Sequence, residues 1–161
     1  MKISVLGGGA WGTALAISLA PLHQVTLWAR DAVQVKAMQV GRSNHRYLPE
    51  IEFPPLLQLT ADLDAALADA ELFILAVPVS SLRGILHHIA ALPVATPVIW
   101  LCKGFEAKTS QLPHQIVAET LPSNFLRGVL SGPSFAQEVA RGLPTAMTLA
   151  SKDIDLSLIH I

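Results

Sequence analysis

Three glycines placed between an apolar run and a helix-forming run constrain this chain more than any other feature. Gly7, Gly9 and Gly12 follow the apolar segment 1–6 and lead into the helix-forming segment 13–20. In this setting the spacing G-x-G-x-x-G is typical of a strand, a tight turn and a helix that bind a dinucleotide. The first glycine permits the turn, the second lets a pyrophosphate approach the backbone, and the third lets the helix pack closely on the strand. The pattern predicts a pyrophosphate site at the positive end of the first helix.

The composition favours a single domain with a large apolar core. Of the 161 residues, 52% are hydrophobic and 14% are charged, whereas about 25% of the residues in a usual soluble domain are charged. Parallel strands covered by helices on both faces are apolar throughout, which lowers the charged fraction. An apolar face intended for a neighbouring domain would lower it too. We expect both causes to apply.

The charge and the number of cysteines indicate which kinds of binding partner and which cellular compartment to expect. The net charge is −1 without a block of like charge, so neither a nucleic-acid partner nor a membrane partner is predicted. The single cysteine, Cys102, fits a reducing cytoplasm. The longest apolar run, 72–77, is too short to cross a bilayer, and the first residues predict a strand rather than a secretory signal. The six histidines lack metal-ligand spacing, so no metal site is predicted.

Apolar, β-branched runs alternate with helical patterns along the chain, which is typical of βαβ units. The pattern predicts strands at 2–6, 24–29, 57–60, 71–77, 97–102, 126–130 and 145–150, and helices at 12–20, 32–41, 63–70, 81–91, 110–121 and 135–141. Right-handed crossovers then give an α/β fold, a doubly wound parallel sheet of the Rossmann type with ligands at the carboxyl ends of its strands. The proline-containing segment 42–55 is predicted to be irregular, either a lid or a long connection.

An arginine and an aspartate stand about twenty residues after the glycine turn, where a nucleotide fold places the group that meets the adenosine ribose. An acidic residue there favours NAD, whereas an arginine accommodates the 2′-phosphate of NADP. Because Arg30 comes first, the sequence is compatible with NADPH use and leaves the preference between NADPH and NADH open. A solvated surface charge is the alternative for Arg30. Asp31 is also placed to cap the following helix.

A lysine follows the strand predicted at 97–102 and precedes a glycine. This position places Lys103 at the carboxyl edge of the sheet, where its charge would hold a phosphate or polarise a carbonyl. Solvent exposure is the ordinary alternative for a loop lysine. The neighbouring Cys102 is expected to be buried and not a nucleophile, because no histidine is placed to activate it.

Two more strand ends lead directly into helices. In the segment SGPS, Ser134 with Gln137 matches a capping box, and the N–H groups of the same helix start would face an anionic ligand. The turn at 77–80 would border the ribose or the nicotinamide of a dinucleotide. There, Ser80 or Ser81 is the expected N-cap.

Taken together, these segments resemble the bacterial NAD(P)-dependent glycerol-3-phosphate dehydrogenases. The resemblance covers the chain to about residue 150. It rests on six segments: GGGAWGTA at 7–14, LWARD at 27–31, AVPVS at 76–80, CKGFE at 102–106, SGPSFAQE at 131–138 and GLPTA at 142–146. It implies reversible hydride transfer between NADPH or NADH and dihydroxyacetone phosphate, which yields sn-glycerol 3-phosphate for phospholipid synthesis.

The resemblance also implies roles for particular residues and a homodimer of the full-length protein. Besides Gly7, Gly9 and Gly12 of the turn, the cofactor would be contacted by Ala10, Trp11, Arg30, Lys103 and Ala136. The phosphorylated substrate would be contacted by Lys103, Gly132 and Ser134.

Members of that family are longer and carry a mostly helical second domain that supplies the lysine acting as general acid/base. That segment has no counterpart here, so no catalytic residue is assigned, and we expect nucleotide affinity with little or no catalysis. Residues 1–150 are interpreted as the dinucleotide-binding domain. Residues 151–161 are interpreted as the truncated start of a continuation, and a non-native end of this segment is left open.

Two other functions stay open at this point. One is a related two-domain dehydrogenase acting on another hydroxyacid or on ketopantoate, against which the segments KGFE and SGPSFAQE speak. The other is a stand-alone nucleotide-binding module that senses redox state.

Overall fold

The computed structural model describes residues 1–153 and residue 156, and its helices and strands follow the predicted alternation. The segment 151–161, interpreted above as the start of a continuation, lies largely outside the described residues. In chain order the elements are β1 (Lys2–Leu6), α1 (Ala10–Leu19), β2 (Gln24–Trp28), α2 (Ala32–Gly41), β3 (Ser43–Asn44), β4 (Leu48–Glu52), β5 (Gln58–Thr60), α3 (Leu63–Leu67), β6 (Leu72–Leu75), α4 (Val79–Ala90), β7 (Val98–Trp100), α5 (Pro113–Thr120), β8 (Arg127–Ser131), α6 (Ala136–Ala140) and β9 (Thr148–Ser151).

Seven of these strands form one sheet in the order β5-β2-β1-β6-β7-β8-β9. All neighbours are parallel except β8 and β9, which are antiparallel. The predicted doubly wound α/β fold is therefore confirmed, with a sheet that is parallel except for its last strand. The five residues of α6 rise only about 7.5 Å, too little to carry the chain back along the sheet before β9 begins.

Helices cover both faces of the sheet and explain the low charged fraction. Along β6, Leu72 and Ile74 face the layer of α1, α2 and α6, whereas Phe73 and Leu75 face the layer of α3, α4 and α5. All four side chains are fully buried. A strand buried on both faces needs apolar residues at every position, as the sequence LFIL provides.

Several helix starts differ from the predicted ones. Helix α4 begins at Val79 with Pro78 as its N-cap, so the prediction that Ser80 or Ser81 caps it is wrong. Pro78 has the extended backbone that an N-cap requires. Helix α5 begins three residues later than predicted because Pro113 is its first residue, a position where a missing N–H carries no cost.

The segment 42–55, predicted to be irregular, contains a short antiparallel hairpin of β3 and β4. Arg42 ends α2 in the left-handed conformation, with φ of 47°. Its guanidinium donates to the carbonyl oxygens of Pro54 and Leu57 at 2.5 and 3.3 Å. These bonds close the base of the hairpin, so the segment is an ordered structure rather than a loose connection.

Candidate functional site: a cleft at the carboxyl ends of the strands

The chain changes direction at the centre of the sheet, between β1 and β6. It runs from β1 outwards to β2 and β5 and then returns to β6 on the other side of β1. Crevices at such a switch point, outside the carboxyl ends of the strands, are where open α/β sheets bind ligands. A cleft of about 920 Å³ lies there and includes the glycine turn, a volume suited to a large organic ligand.

Two of the three glycines are required by close packing. Gly7 has φ of +130°, and a Cβ added to it would lie 2.5 Å from the carbonyl oxygen of Ala76. A Cβ on Gly12 would lie 1.9 Å from the carbonyl oxygen of Gly7. The turn and the close approach of α1 to β1 therefore exclude any larger side chain, as the spacing of the glycines predicts.

Gly9 has a different role because its missing side chain leaves space open to the cleft. It lines the cleft, and apart from Gly9 and its two chain neighbours no described residue has an atom within 4 Å of a Cβ built on it. Gly9 is also the N-cap of α1, and it has no side chain that could accept from the first N–H groups of the helix. The first N–H groups of a helix have no partner within the helix. An open approach to unpaired N–H groups is what a pyrophosphate requires, so the residues present fit the predicted dinucleotide.

The end of β2 supplies a cation beside the same cleft. Arg30 is exposed and lines the cleft. The carboxylate of Asp31 accepts hydrogen bonds from the N–H groups of Val33 and Gln34 at 2.9 and 3.3 Å, so its predicted capping of α2 is confirmed. The acidic group is thereby committed to the helix, which leaves Arg30 as the charged group of this pair that is available to a nucleotide.

A second cation stands across the cleft, in the loop after β7. Lys103 is exposed and lines the cleft. Three residues later, Glu106 accepts from Arg83 of α4, with the Nε–Oε1 and Nη2–Oε2 distances at 3.0 and 2.9 Å. The Arg83 guanidinium and the Thr109 hydroxyl lower the pKa of Glu106 to about 2, while the same ion pair raises the pKa of Arg83. The loop that carries Lys103 is therefore tied to α4.

Cys102 is a buried residue that contributes to the wall of the cleft. Its Sγ contacts the carbonyl oxygen of Val77 at 3.0 Å, as the donor of a weak hydrogen bond. Burial raises the pKa of its thiol to about 11. A thiol held protonated in this way is a poor nucleophile, as predicted.

The segment between β8 and α6 differs from its prediction in one respect. The N-cap of α6 is Phe135, whose N–H donates to the Glu138 carboxylate at 3.2 Å, so the predicted capping box of Ser134 with Gln137 is wrong. Ser134 lies one position too early to cap the helix. Its Oγ is buried and has no hydrogen-bond partner among the described residues. A buried hydroxyl in this state is uncommon, although Ser134 does not line the cleft.

The structure brings most of the predicted binding residues to one cleft. Those that line it are Gly7, Gly9, Trp11, Arg30, Lys103 and Gly132, whereas Ala10, Gly12, Ser134 and Ala136 are not in its lining. Ala10 and Gly12 belong to the first turn of α1 directly behind the glycine turn. Gly132 is also required by packing, because a Cβ there would lie 2.4 Å from the carbonyl oxygen of Ala146.

Sequence reasoning missed two polar residues whose side chains hold the glycine turn, one of which, Gln34, also lines the cleft. Asn44 of the hairpin and Gln34 of α2 both donate to the carbonyl oxygen of Gly8, at 3.1 and 2.9 Å. Arg46 and Tyr47 of the hairpin also line the cleft. The prolines of the segment 42–55 concealed the hairpin, and nothing in the local pattern marks Asn44 as a partner of the glycine turn.

Fold, switch point and glycine turn together define a dinucleotide-binding domain of the doubly wound α/β class. The family model described as "NAD-dependent glycerol-3-phosphate dehydrogenase N-terminus" matches residues 2–157. The chain belongs to this family, and the resemblance read from its motifs is confirmed.

Known proteins agree with this assignment. The chain is 57% identical over 157 residues to the "Glycerol-3-phosphate dehydrogenase [NAD(P)+]" of Thiobacillus denitrificans, covering 98% of this chain and 48% of that protein. The crystal structure of glycerol-3-phosphate dehydrogenase from Coxiella burnetii is similar with a TM-score of 0.89 at 39% identity, over 97% of this chain and 48% of that one. The chain therefore spans about half the length of the relatives it matches.

A more distant likeness addresses one of the two other functions. A 2-dehydropantoate 2-reductase of Bacillus subtilis matches with a TM-score of 0.60 at 20% identity, over 81% of this chain and 40% of that one. At this identity the likeness shows a shared fold alone. The family match over residues 2–157 favours the glycerol-3-phosphate dehydrogenases over the ketopantoate enzymes.

Proposed function

We propose that this chain binds NADPH and NADH and forms the cofactor-binding part of an enzyme that reduces dihydroxyacetone phosphate to sn-glycerol 3-phosphate for phospholipid synthesis. One observation carries the proposal. A single cleft at the switch point brings together the open glycine turn, Arg30 at the end of β2 and Lys103 at the end of β7. The first two suit a dinucleotide phosphate and its ribose, and the third suits a phosphorylated or carbonyl-containing substrate.

The residues of the chain act by binding and orientation. The N–H groups at the start of α1 would receive the pyrophosphate over Gly9, and Arg30 would pair with the ribose 2′-phosphate. The ammonium of Lys103 would lie between cofactor and substrate and neutralise negative charge there. The buried hydroxyl of Ser134 and the backbone at Gly132 would meet the substrate phosphate. When bound, the nicotinamide supplies the hydride.

In this proposal, residues 1–150 form a dinucleotide-binding domain and residues 151–161 begin a continuation. The described strand β9 ends at Ser151. The family resemblance places the general acid/base lysine in a second domain, so we expect this chain to bind nucleotide with little turnover. A rate on the order of 10 per second, ordinary for an enzyme, would contradict that expectation.

We also propose that the full-length protein is a homodimer and that it is located in the cytoplasm. The single cysteine, Cys102, supports the location, because it fits a reducing compartment. Within the described residues, no helix is long and apolar enough to span a membrane. Sedimentation analysis of the full-length protein tests the dimer.

The substrate role of Lys103 is tested by replacing it in the full-length enzyme. Lys103→Met should lower kcat/KM for dihydroxyacetone phosphate by at least about 100-fold, in the range lost with one stabiliser of developing charge. Lys108→Met is the matched control, because Lys108 is an exposed lysine of the same loop that does not line the cleft. Equal activity of the two variants would contradict the role given to Lys103.

A further inference from the structure

The carbonyl oxygen of Gly8 is held by two side-chain amides. Nε2 of Gln34 donates to it at 2.9 Å and Nδ2 of Asn44 donates at 3.1 Å. Asn44 comes from the hairpin and Gln34 from α2, so two elements converge on one peptide group. Two amide donors on a single carbonyl oxygen fix its direction more firmly than either would alone.

Asn44 is rigidly held where it makes this contact. Its side chain is 1% exposed, and its Nδ2 also donates to the Thr13 hydroxyl at 2.8 Å. The orientation of its amide is set by chemistry, since a carbonyl oxygen only accepts and the nitrogen must face Gly8. Its Oδ1 is buried without a partner among the described residues. Burying such an atom costs free energy, so the arrangement is maintained against a local penalty.

Fixing the Gly8 carbonyl also fixes the N–H of Gly9, because both belong to one planar peptide group. The described residues contain no cis peptide bond, so the carbonyl and the N–H of this peptide point in opposite directions. The oxygen is turned towards Asn44 and Gln34. The N–H is therefore turned away from these two side chains, and Gly9 itself lines the cleft.

We propose that Asn44 and Gln34 are positioning residues that hold the Gly8–Gly9 peptide in the orientation that offers the Gly9 N–H to the dinucleotide pyrophosphate. The inference rests on the proposed function, because it assumes that a pyrophosphate binds at this turn. Without the two amides the peptide is able to rotate, which would present a carbonyl oxygen to the phosphate in place of a donor. The hairpin in segment 42–55 thereby gains a role in cofactor binding that is separate from any lid.

The test compares ligands that do and do not contain a pyrophosphate. Affinities for NADPH, ADP-ribose and adenosine 2′-phosphate are measured by calorimetry or NMR titration for the wild type, Asn44→Leu, Gln34→Leu and the double variant. Each single variant should lose about tenfold in affinity for NADPH and ADP-ribose, which corresponds to one hydrogen bond to a charged group. Because both amides act on the same peptide group, the double variant should lose less than the product of the two single losses. Affinity for adenosine 2′-phosphate should stay within about twofold, as that ligand has no pyrophosphate.

Glu50→Gln is the matched control on the same hairpin. It removes the 2.8 Å ion pair with Arg141 but no contact with the glycine turn, and it should leave all three affinities unchanged. The Gly9 amide resonance gives a direct readout, and it should move in Asn44→Leu but not in Glu50→Gln.

The possible results distinguish a failure of the positioning role from a failure of cofactor binding itself. If a folded Asn44→Leu protein binds NADPH as the wild type does, the positioning role is wrong while cofactor binding stands. If Asn44→Leu does not fold, Gln34→Leu decides, because it alters a partly exposed side chain. Since Gln34 also lines the cleft, a shift of the Gly9 amide resonance must accompany its loss of affinity. Selective loss of the pyrophosphate ligands then supports the role, and equal loss of all three ligands overturns it. If the wild type binds neither NADPH nor ADP-ribose, the proposed function itself fails.

Discussion

Replacing Gly9 and Gly12 one at a time by alanine should separate binding from folding within the glycine turn. A Cβ on Gly12 would lie 1.9 Å from the Gly7 carbonyl oxygen, more than 1 Å inside the 3.0 Å limit that real Cβ atoms respect. Because the clash is with backbone, relief requires α1 to move away from β1. We expect a cost of about 3 kcal/mol or more, at the upper end of overpacking in a core.

Gly9→Ala should behave in the opposite way. Apart from its two chain neighbours, no described residue has an atom within 4 Å of the new Cβ, and φ of −81° at Gly9 is acceptable for alanine. The expected cost is the loss of a favourable N-cap residue, about 1 kcal/mol or less. The new methyl group instead occupies the approach to the helix N-terminus. Affinity for NADPH should fall at least about tenfold, or 1.4 kcal/mol.

Thermal unfolding and calorimetric titration distinguish the two variants. For a domain of this size, 1 kcal/mol shifts Tm by about 2–4 °C, so Gly12→Ala should lose about 6–12 °C and Gly9→Ala no more than about 4 °C. The near-UV circular dichroism of Gly9→Ala should match the wild type. Undiminished NADPH affinity in Gly9→Ala, or wild-type stability in Gly12→Ala, would refute the separate roles given to these glycines.

Three other residues yield predictions of their own. Arg30→Ala should weaken NADPH binding at least about tenfold more than NADH binding, and equal losses by titration would contradict the pairing with the 2′-phosphate. Because the pKa of Glu106 is lowered to about 2 from 4.5, its contribution to stability is present above pH 4.5 and is lost as the pH falls towards 2. Tm should therefore fall less steeply between pH 5 and 3 in Glu106→Gln than in the wild type; parallel curves would disprove this. The Cys102 thiol, with its pKa near 11, should react with iodoacetamide at pH 8 at least about 100-fold more slowly in the native than in the unfolded protein, and similar rates would show that the thiol is not protected.

The sequence allows the alternation of elements, the sheet class, the glycine turn and the cap of α2 to be predicted because each leaves a local signal. The four apolar residues of β6 indicate a strand buried on both faces. Gly7 and Gly12 are required by the turn that their spacing predicts. Asp31 is recognisable as an N-cap from its place before a helical pattern, and the structure confirms its bonds to α2.

The features that escaped prediction depend on contacts between distant parts of the chain. Asn44 lies 36 residues from Gly8, and its neighbours suggest only an irregular proline-containing segment. The ion pair of Arg83 with Glu106 joins a helix to a loop 23 residues away. The prediction that Ser134 caps α6 was wrong because Phe135 occupies the N-cap position, although the sequence S-x-x-Q matches the capping-box motif. Strand β9 is antiparallel because α6 is too short to return the chain along the sheet. The sequence pattern does not define the ends of helices closely enough to predict that length.

Calorimetric titration of this chain with NADPH and then NADH shows whether the cleft binds a dinucleotide. We expect saturable binding of both nucleotides at one site per chain, with higher affinity for NADPH if Arg30 pairs with the 2′-phosphate as proposed. Gly9→Ala is the matched control and should bind neither nucleotide with comparable affinity. A folded wild-type chain that binds neither nucleotide would contradict the claim that the cleft at the carboxyl ends of β1 and β6 is a preformed dinucleotide site.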